Sequence, residues 1–348
     1  MRRVVVLGGT GFFGAAAAAE LRAAGVPVTT AARRNADLAV DAESGESLRR
    51  ALRPGDVVLD AAGPFQARTT VLAEAAVEVG FDLVDLADAS NYVRRLLPLA
   101  ERAAAAGVRI LPACSTASAV SHAMIAWSEV AEPTRLTAFL VPTPRHTAVS
   151  GTAASLLCGV GGPAAVLRDG APRLERGFGS SRRWVGGTPL GARRGWLFDT
   201  PDALLLPRSH PTLQTVEAYV DPNVPGMAAA LALAARAAPL RAAMRRALPV
   251  ALPLVRRLGG ARGGFGCEVE DAGGRPVRLV LTAPRDAYRL AVIPAVLAVR
   301  ALAAGRIPHT GLLAPHQQID AAELLAELRR CGFDLHRSEE KTRLTQRR

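Results

Sequence analysis

A chain of 348 residues, 49% hydrophobic and 21% charged, fits a soluble globular protein of about two domains with a sizeable core. Its net charge of +12, from 43 basic and 31 acidic residues, favours anionic ligands, yet Lys341 is the single lysine and no zinc-finger, RNA-binding or basic–aromatic motif accompanies the arginines, so nucleic acid is not an expected partner. Cys114, Cys158, Cys267 and Cys331 lack metal or redox spacing, the N-terminal apolar run stops at Gly8, and the uncharged stretch 146–167 is broken by Gly, Pro, Ser and Thr; together these speak against a metal site, a signal peptide and a membrane span, and point to the cytoplasm.

In chain order, residues 4–7 are expected as a strand and 13–24 as a helix ended by Gly25. Strands follow at 28–32, 56–61, 82–86 and 109–112, separated by helices at 47–52, 69–79 and 92–106, the last two closed by Gly80 and Gly107. Glycines at helix ends and buried Val/Leu runs fit βαβ units on a parallel sheet. After about residue 134 the rhythm changes. Strands are expected at 135–141 and 213–220, a helix at 155–167, and a hairpin from 265–270 and 277–282 around a turn beginning at Asp271. A long apolar helix over 287–304 ends at Gly305, and the final helix has Asp320 as N-cap, Glu323 three residues on, and Gly332 past its end.

The first strand runs into Gly8-Gly9-Thr10-Gly11-Phe12-Phe13-Gly14. Gly8 permits a tight turn off the strand, Gly11 lets backbone approach a pyrophosphate, and Gly14 lets the helix pack close to the sheet, with the helix N-terminus facing the phosphates. A strand before and a helix after the loop supply the confirming context for a dinucleotide site. The expected fold is therefore α/β: an N-terminal Rossmann-type doubly wound parallel sheet over 1–133, an α+β substrate domain over 134–286, and C-terminal helices, 287–348, returning to the first domain. NAD-binding versions carry an acid about 20 residues beyond the glycines. Here Arg33 and Arg34 stand there instead. Two cations welcome the 2′-phosphate of NADP, so NADP is the expected cofactor. The bland alternative is a solvated arginine pair.

The glycine loop, Ala32-Arg33-Arg34-Asn35 and the segment from Asp56 to Ala62-Gly63-Pro64-Phe65 resemble the saccharopine dehydrogenase-like oxidoreductases. So do the stretch from Phe81 to Asp88, the run Leu111-Pro112-Ala113-Cys114-Ser115-Thr116, and the tail from Gly273-Gly274 through Tyr288 and Gly311. The resemblance covers both ends and is thin between about 140 and 260. It implies an NADP-binding domain joined to a substrate domain, without implying saccharopine as substrate. One departure is the run Cys114 to Val120, where members of that family commonly carry a Gly-Phe-Asp-Ser-Val-Pro-like sequence; the acid is missing here.

Ligands of open α/β sheets lie beyond the C-terminal ends of the strands. That rule places Ala62, Gly63, Pro64 and Phe65 beside the cofactor, and Asp88 and Tyr92 where they can orient substrate or pass a proton. Local geometry favours a plainer role, with Ser90 or Asp88 capping the helix near Tyr92. Cys114, Ser115, Thr116 and Ser118 read as a buried thiol and a helix cap, and His122 as the best proton-transfer histidine of its region. His146, His210, His309, His316 and His336 are too scattered for a metal. Four residues beyond Tyr92, Tyr219 and Tyr288 stand Leu96, Asn223 and Val292, so no Tyr-x-x-x-Lys site exists.

Between Asp221 and Glu268 the chain has arginines but no acid. A membrane-surface segment or a lid over a hydrophobic, anionic substrate is one reading. An amphipathic helix with a solvated arginine face is preferred, since Pro239, Pro249 and Pro253 are expected to break any long helix. The expected function is NADP(H)-dependent hydride transfer to or from a C=N, C=O or activated C=C bond of a small metabolite. A non-catalytic NADP sensor or a lipid-associated reductase stands as the alternative, and a homodimer is compatible with the sequence.

Overall fold

The computed structural model describes residues 2–185, 190–283 and 285–339; Lys341 lies outside them. The first half runs β1 (Val4–Leu7), α1 (Phe12–Ala23), β2 (Val28–Ala32), β3 (Leu38–Ala39), α2 (Gly45–Ala51), β4 (Val57–Asp60), α3 (Val71–Val79), β5 (Asp82–Asp85), α4 (Ser90–Leu96), α5 (Ala100–Ala105) and β6 (Arg109–Leu111). It continues through α6 (Ala119–Ser128), β7 (Arg135–Val141), α7 (Pro144–Thr147), α8 (Ser150–Gly159), β8 (Pro163–Arg168), β9 (Ala171–Arg176), β10 (Ser181–Val185), β11 (Ala192–Leu197) and α9 (Asp202–Leu205). The remainder is β12 (Thr215–Val220), α10 (Met227–Arg236), α11 (Ala238–Leu258), β13 (Gly263–Glu270), β14 (Pro276–Ala283), α12 (Ile293–Ala303), β15 (Gly311–Leu312), α13 (Pro315–Gln318), α14 (Ala321–Arg330) and β16 (Asp334–Glu339).

The first sheet is parallel throughout, in the order β15-β6-β5-β4-β1-β2-β3. Every residue of β1, β4 and β5 is buried, as strands covered on both faces require. The register sets Leu7 beside Asp60 and Asp60 beside Asp85, so β1, β4 and β5 end level and their loops emerge side by side. The second sheet is mixed, in the order β10-β11-β12-β7-β13-β14-β16, with β8 and β9 attached beside β12. Its only parallel pairing among the described residues is β12 with β7.

The tail serves both sheets. Val292, Ala295, Val296, Val299 and Leu302 join the core of the first sheet, while Ile293 and Leu297 of the same helix face the core of the second. β15 then extends the first sheet at β6. The last two elements turn the other way: α14 places Leu324, Leu325 and Leu328 in the second core, and β16 pairs with β14. The expectation of C-terminal helices returning to the first domain thus describes α12, not α14.

Three local expectations are corrected. The helix expected over 155–167 is α8, which stops at Gly159, followed by β8 from Pro163; Gly161, at φ +69°, and Pro163 end the helix, and the apolar residues beyond them fit a buried strand equally well. The helices expected over 92–106 and 287–304 are each interrupted, by a 3-10 turn at 97–99 around Pro98 and by one at 287–291 before Pro294. The third correction is α11, a single helix of 21 residues despite Pro249 and Pro253 inside it. Pro239 sits in its first turn, where the missing N–H has no helical partner to lose. Pro249 and Pro253 both lie on the exposed side, where water can satisfy the carbonyls of Arg245 and Pro249 that lose their donors. Among the described residues no helix is long and apolar enough to cross a membrane.

Candidate active site

Gly8 leaves β1 at φ +72°, and a Cβ there would meet the Ala61 carbonyl at 2.8 Å and the Ala62 Cα at 2.9 Å. The absence of a side chain therefore lets the loop after β4 lie directly against the loop after β1. A Cβ on Gly14 would fall 2.1 Å from the Gly8 carbonyl oxygen, so α1 starts as close to the strand as backbone allows. Gly11 takes the N-cap position of α1 with no side-chain cap, and no acid stands in the first turn. The first amides and the positive end of α1 are thus left without a protein anion, and a pyrophosphate fits that cradle. Phe12 stacks edge-on with Phe13 and with Tyr288 (centroids 5.2 and 4.8 Å), which ties the turn before α12 to this corner.

Arg33 and Arg34 follow β2, are exposed, and form no hydrogen bond or ion pair among the described residues. The nearby acid, Asp37, is occupied: its Oδ2 accepts from the Thr30 amide and hydroxyl, both at 2.8 Å. Those bonds lower the Asp37 pKa. Two cations without protein partners therefore flank the end of β2.

The loop after β4 is shaped by a buried pair that the sequence reading did not identify. Asp60 Oδ1 accepts from the Ala62 amide (2.9 Å) and from Arg68, whose guanidinium also donates to the Ala62 carbonyl (2.7 Å) and pairs with Glu43. This fixes Ala62 and Gly63 against the glycine loop. Phe65, expected beside a cofactor, turns into the core. It is 5% exposed and packs on Tyr92, with centroids 5.3 Å apart.

Beyond β4 and β5 the structure assembles three polar side chains. Ser155 on α8 donates to Asp88 Oδ2 at 2.5 Å. Gln66 Nε2 donates to Asp88 Oδ1 at 3.2 Å and to Ser155 Oγ at 2.8 Å. Burial raises the Asp88 pKa, against the hydrogen bond from Ser155, which lowers it. A carboxyl shifted upward beside a hydroxyl and an amide can hold a proton and exchange it with a bound ligand. Gln66 and Ser155 were not among the expected residues. Gln66 directly follows the quoted Gly63-Pro64-Phe65 segment, whereas nothing in the sequence singles out Ser155.

The expected cap is also revised. Ser90 opens α4, but neither Ser90 nor Asp88 caps it, because Asp88 turns to Gln66 and Ser155. The cap comes from Asp199, whose carboxylate accepts from the Ser90 amide (2.9 Å) and hydroxyl (2.6 Å). Three residues on, Asp202 accepts from the Ser118 amide (2.5 Å), the Ser118 hydroxyl (3.2 Å) and the Ser121 hydroxyl (3.0 Å). Burial pushes Asp202 up to about 6, against those bonds. An acid from another part of the chain thus reaches the Cys114–Val120 run at Ser118. Ser118 holds φ +67°, ψ −62°, an unusual conformation for a non-glycine residue.

Two expected proton-transfer residues lie elsewhere. Tyr92 is fully buried, its hydroxyl has no hydrogen-bond partner among the described residues, and burial with the nearby Asp85 raises its pKa well above the ordinary value. It is a core residue, because the apolar face of α4 turns inward at that position. His122 Nδ1 and His210 Nε2 share a hydrogen bond at 2.9 Å, and the His316 ring lies 6.5 Å from that of His122. Burial and its histidine neighbours push His122 down to about 4. The histidines expected to be scattered are thus partly gathered, although among the described residues no group of three His, Cys, Asp or Glu is arranged to hold a metal. Cys114 is a fully buried thiol.

Residues 4–138 match the family model described as the saccharopine dehydrogenase NADP binding domain. Among solved structures, apo histidine-tagged saccharopine dehydrogenase (L-Glu forming) from Saccharomyces cerevisiae overlays with a TM-score of 0.64 at 14% identity, covering 98% of this chain and 100% of that one. GenD2 from gentamicin A biosynthesis, in complex with NAD, overlays at 0.41 with 15% identity over 98% and 97% of the two chains. An NAD binding oxidoreductase from Klebsiella pneumoniae gives 0.40 and 12% over 97% and 99%. Comparison with curated proteins finds no match. The chain therefore shares the fold of the yeast enzyme, and its residues 4–138 are similar to the saccharopine dehydrogenase NADP binding domain.

Proposed function

We propose that this protein is an NADP(H)-dependent oxidoreductase acting on a C=N, C=O or activated C=C bond of a small metabolite. The observation that carries this reading is one of placement. The uncapped, acid-free cradle of Gly8 to Gly14 and the unpaired Arg33 and Arg34 lie at the same end of the sheet as the Gln66–Asp88–Ser155 cluster. When bound, the nicotinamide supplies or accepts the hydride. Gly8, Gly11 and Gly14 with the first amides of α1 hold the pyrophosphate, and Arg33 and Arg34 hold the 2′-phosphate. Ala62 and Gly63 form the wall set against the glycine loop. Asp88 holds or releases the proton at its carboxyl oxygens, while Ser155 and Gln66 orient that carboxyl. No lysine-assisted tyrosine is needed for this assignment.

The test follows NADPH absorbance against panels of imines, ketones and enoyl compounds, for the wild type and for Asp88→Asn. Turnover with at least one class is expected. The Asn variant should lose about 10²–10⁴-fold in kcat, the range for removing a general acid, while its NADPH affinity stays within about twofold. Tight NADP binding with no turnover on any panel would overturn the catalytic reading in favour of a dinucleotide sensor.

A further inference from the structure

α11 packs unlike the other long helices: none of its side chains is fully buried. Its inner side nevertheless carries Met244, Leu248, Ala251 and Val255, which roof a cavity of about 180 Å³ floored by Leu156 of α8 and Leu231 of α10. The lining is almost wholly apolar. An apolar space of roughly 150 Å³ accepts a benzene-sized ligand, so this half-open pocket has room for a short hydrocarbon group. Val250, Leu254 and Leu258 sit at four-residue steps on one edge of the same helix and are 84%, 57% and 51% exposed. They extend the apolar track to the outside.

The charge carried by α11 itself has one sign. No acid lies between Asp221 and Glu268. Arg241 donates to the carbonyls of Ala234 and Ala235, and Arg256 to that of Ala148, so both anchor α11 through backbone oxygens. Arg245, Arg246 and Arg257 are exposed and have no acidic partner among the described residues. An apolar cavity roofed by a purely cationic helix complements a hydrocarbon group ending in an anion.

We propose that the cavity between α8, α10 and α11 binds the alkyl part of an anionic amphiphile, with α11 as its lid and arginines of α11 holding the charged end. The site stands one helix away from the polar cluster, since α8 presents Leu156 to the cavity and Ser155 to Asp88. The proposal does not depend on hydride transfer.

The experiment uses the full chain and displaces the fluorescent probe 1-anilinonaphthalene-8-sulfonate with saturated carboxylates from butanoate to dodecanoate. Affinity should rise about fourfold per methylene and level off once the cavity is filled. Ala251→Phe fills the cavity from a helix without buried side chains and should weaken octanoate by more than about tenfold, leaving NADPH affinity and Tm unchanged. Should that variant fail to fold, Ala153→Leu fills the same space from α8. Arg245→Ala with Arg246→Ala should weaken the carboxylates but not the matching alcohols. The proposal falls if affinity ignores chain length, if a folded cavity-filling variant binds octanoate as tightly as the wild type, or if only anionic phospholipid vesicles bind. The last result would make α11 a surface-docking helix. Because the carboxylates carry no reducible bond, any of these failures leaves the oxidoreductase reading intact.

Discussion

Replacing Arg33 by Asp and Arg34 by Ala should change the choice of cofactor without touching the fold. Neither arginine has an internal partner among the described residues, so no native bond found there is lost and Tm should move by less than about 2 °C. A hydrogen bond to a charged group contributes about 1.5–3 kcal/mol. Both side chains are exposed, so the lower figure applies, and two such contacts give about 3 kcal/mol, or roughly 150-fold in Kd. Asp at position 33 adds repulsion toward the 2′-phosphate. NADH lacks that phosphate, and its affinity should change by less than about threefold. Titration calorimetry with both dinucleotides, at low and at physiological salt, measures the effect. The wild-type preference for NADPH should shrink as the screening length falls toward about 8 Å, whereas in the variant salt should relieve the repulsion and raise NADPH affinity relative to NADH. Equal weakening of NADPH and NADH, or no weakening, would refute the assignment of these arginines to the phosphate.

Gly14→Ala places a methyl 2.1 Å from the Gly8 carbonyl oxygen, so the helix must move off the strand. Both dinucleotides should bind at least about 100-fold more weakly, with a stability loss of about 1–3 kcal/mol by denaturant titration. Asp85 is buried, its Oδ2 has no hydrogen-bond partner among the described residues, and burial pushes it up to about 7 against the Ala113 and Ala87 amides. Its folded pKa exceeds its unfolded one, so the unfolded state releases the proton first and stability falls as pH rises from about 4 to 7. Asp85→Asn should therefore stabilise the protein at pH 8 by about 1–3 kcal/mol and much less at pH 5; a pH-independent change would refute this. Burial pushes His122 and His210 down to about 4, so the stability they contribute is present above about 6.5 and is lost as pH falls toward 4. Chemical denaturation of His122→Gln with His210→Gln should show a shallower loss between pH 6.5 and 4 than the wild type.

What the sequence made legible was chemistry confined to neighbouring residues. The glycine loop, the Val/Leu strands and the Asp320 cap are local patterns, and Asp320 does accept from the Glu323 amide at 2.8 Å. Ambiguity began where two periods fit one apolar run, as at α8 and β8, and where a local rule met an exposed helix side, as with Pro249 and Pro253. Contacts between distant residues were not legible. Ser155 reaches Asp88 across 67 positions and Asp199 reaches Ser90 across 109. Nothing near Ser90 indicated that its helix would be capped from there, and the local rule chose a neighbouring side chain. The pairing of His122 with His210 across 88 positions was hidden for the same reason.

The turn carrying Asp199 and Asp202 bears on how ligands enter. Swinging the two sheets apart would tear the two hydrogen bonds that Ser90 gives Asp199 and strand the Ser90 amide without its acceptor. That acidic latch makes a clamshell motion costly. Smaller displacements at the rim of the crevice leave those two bonds intact and are the cheaper route for a ligand.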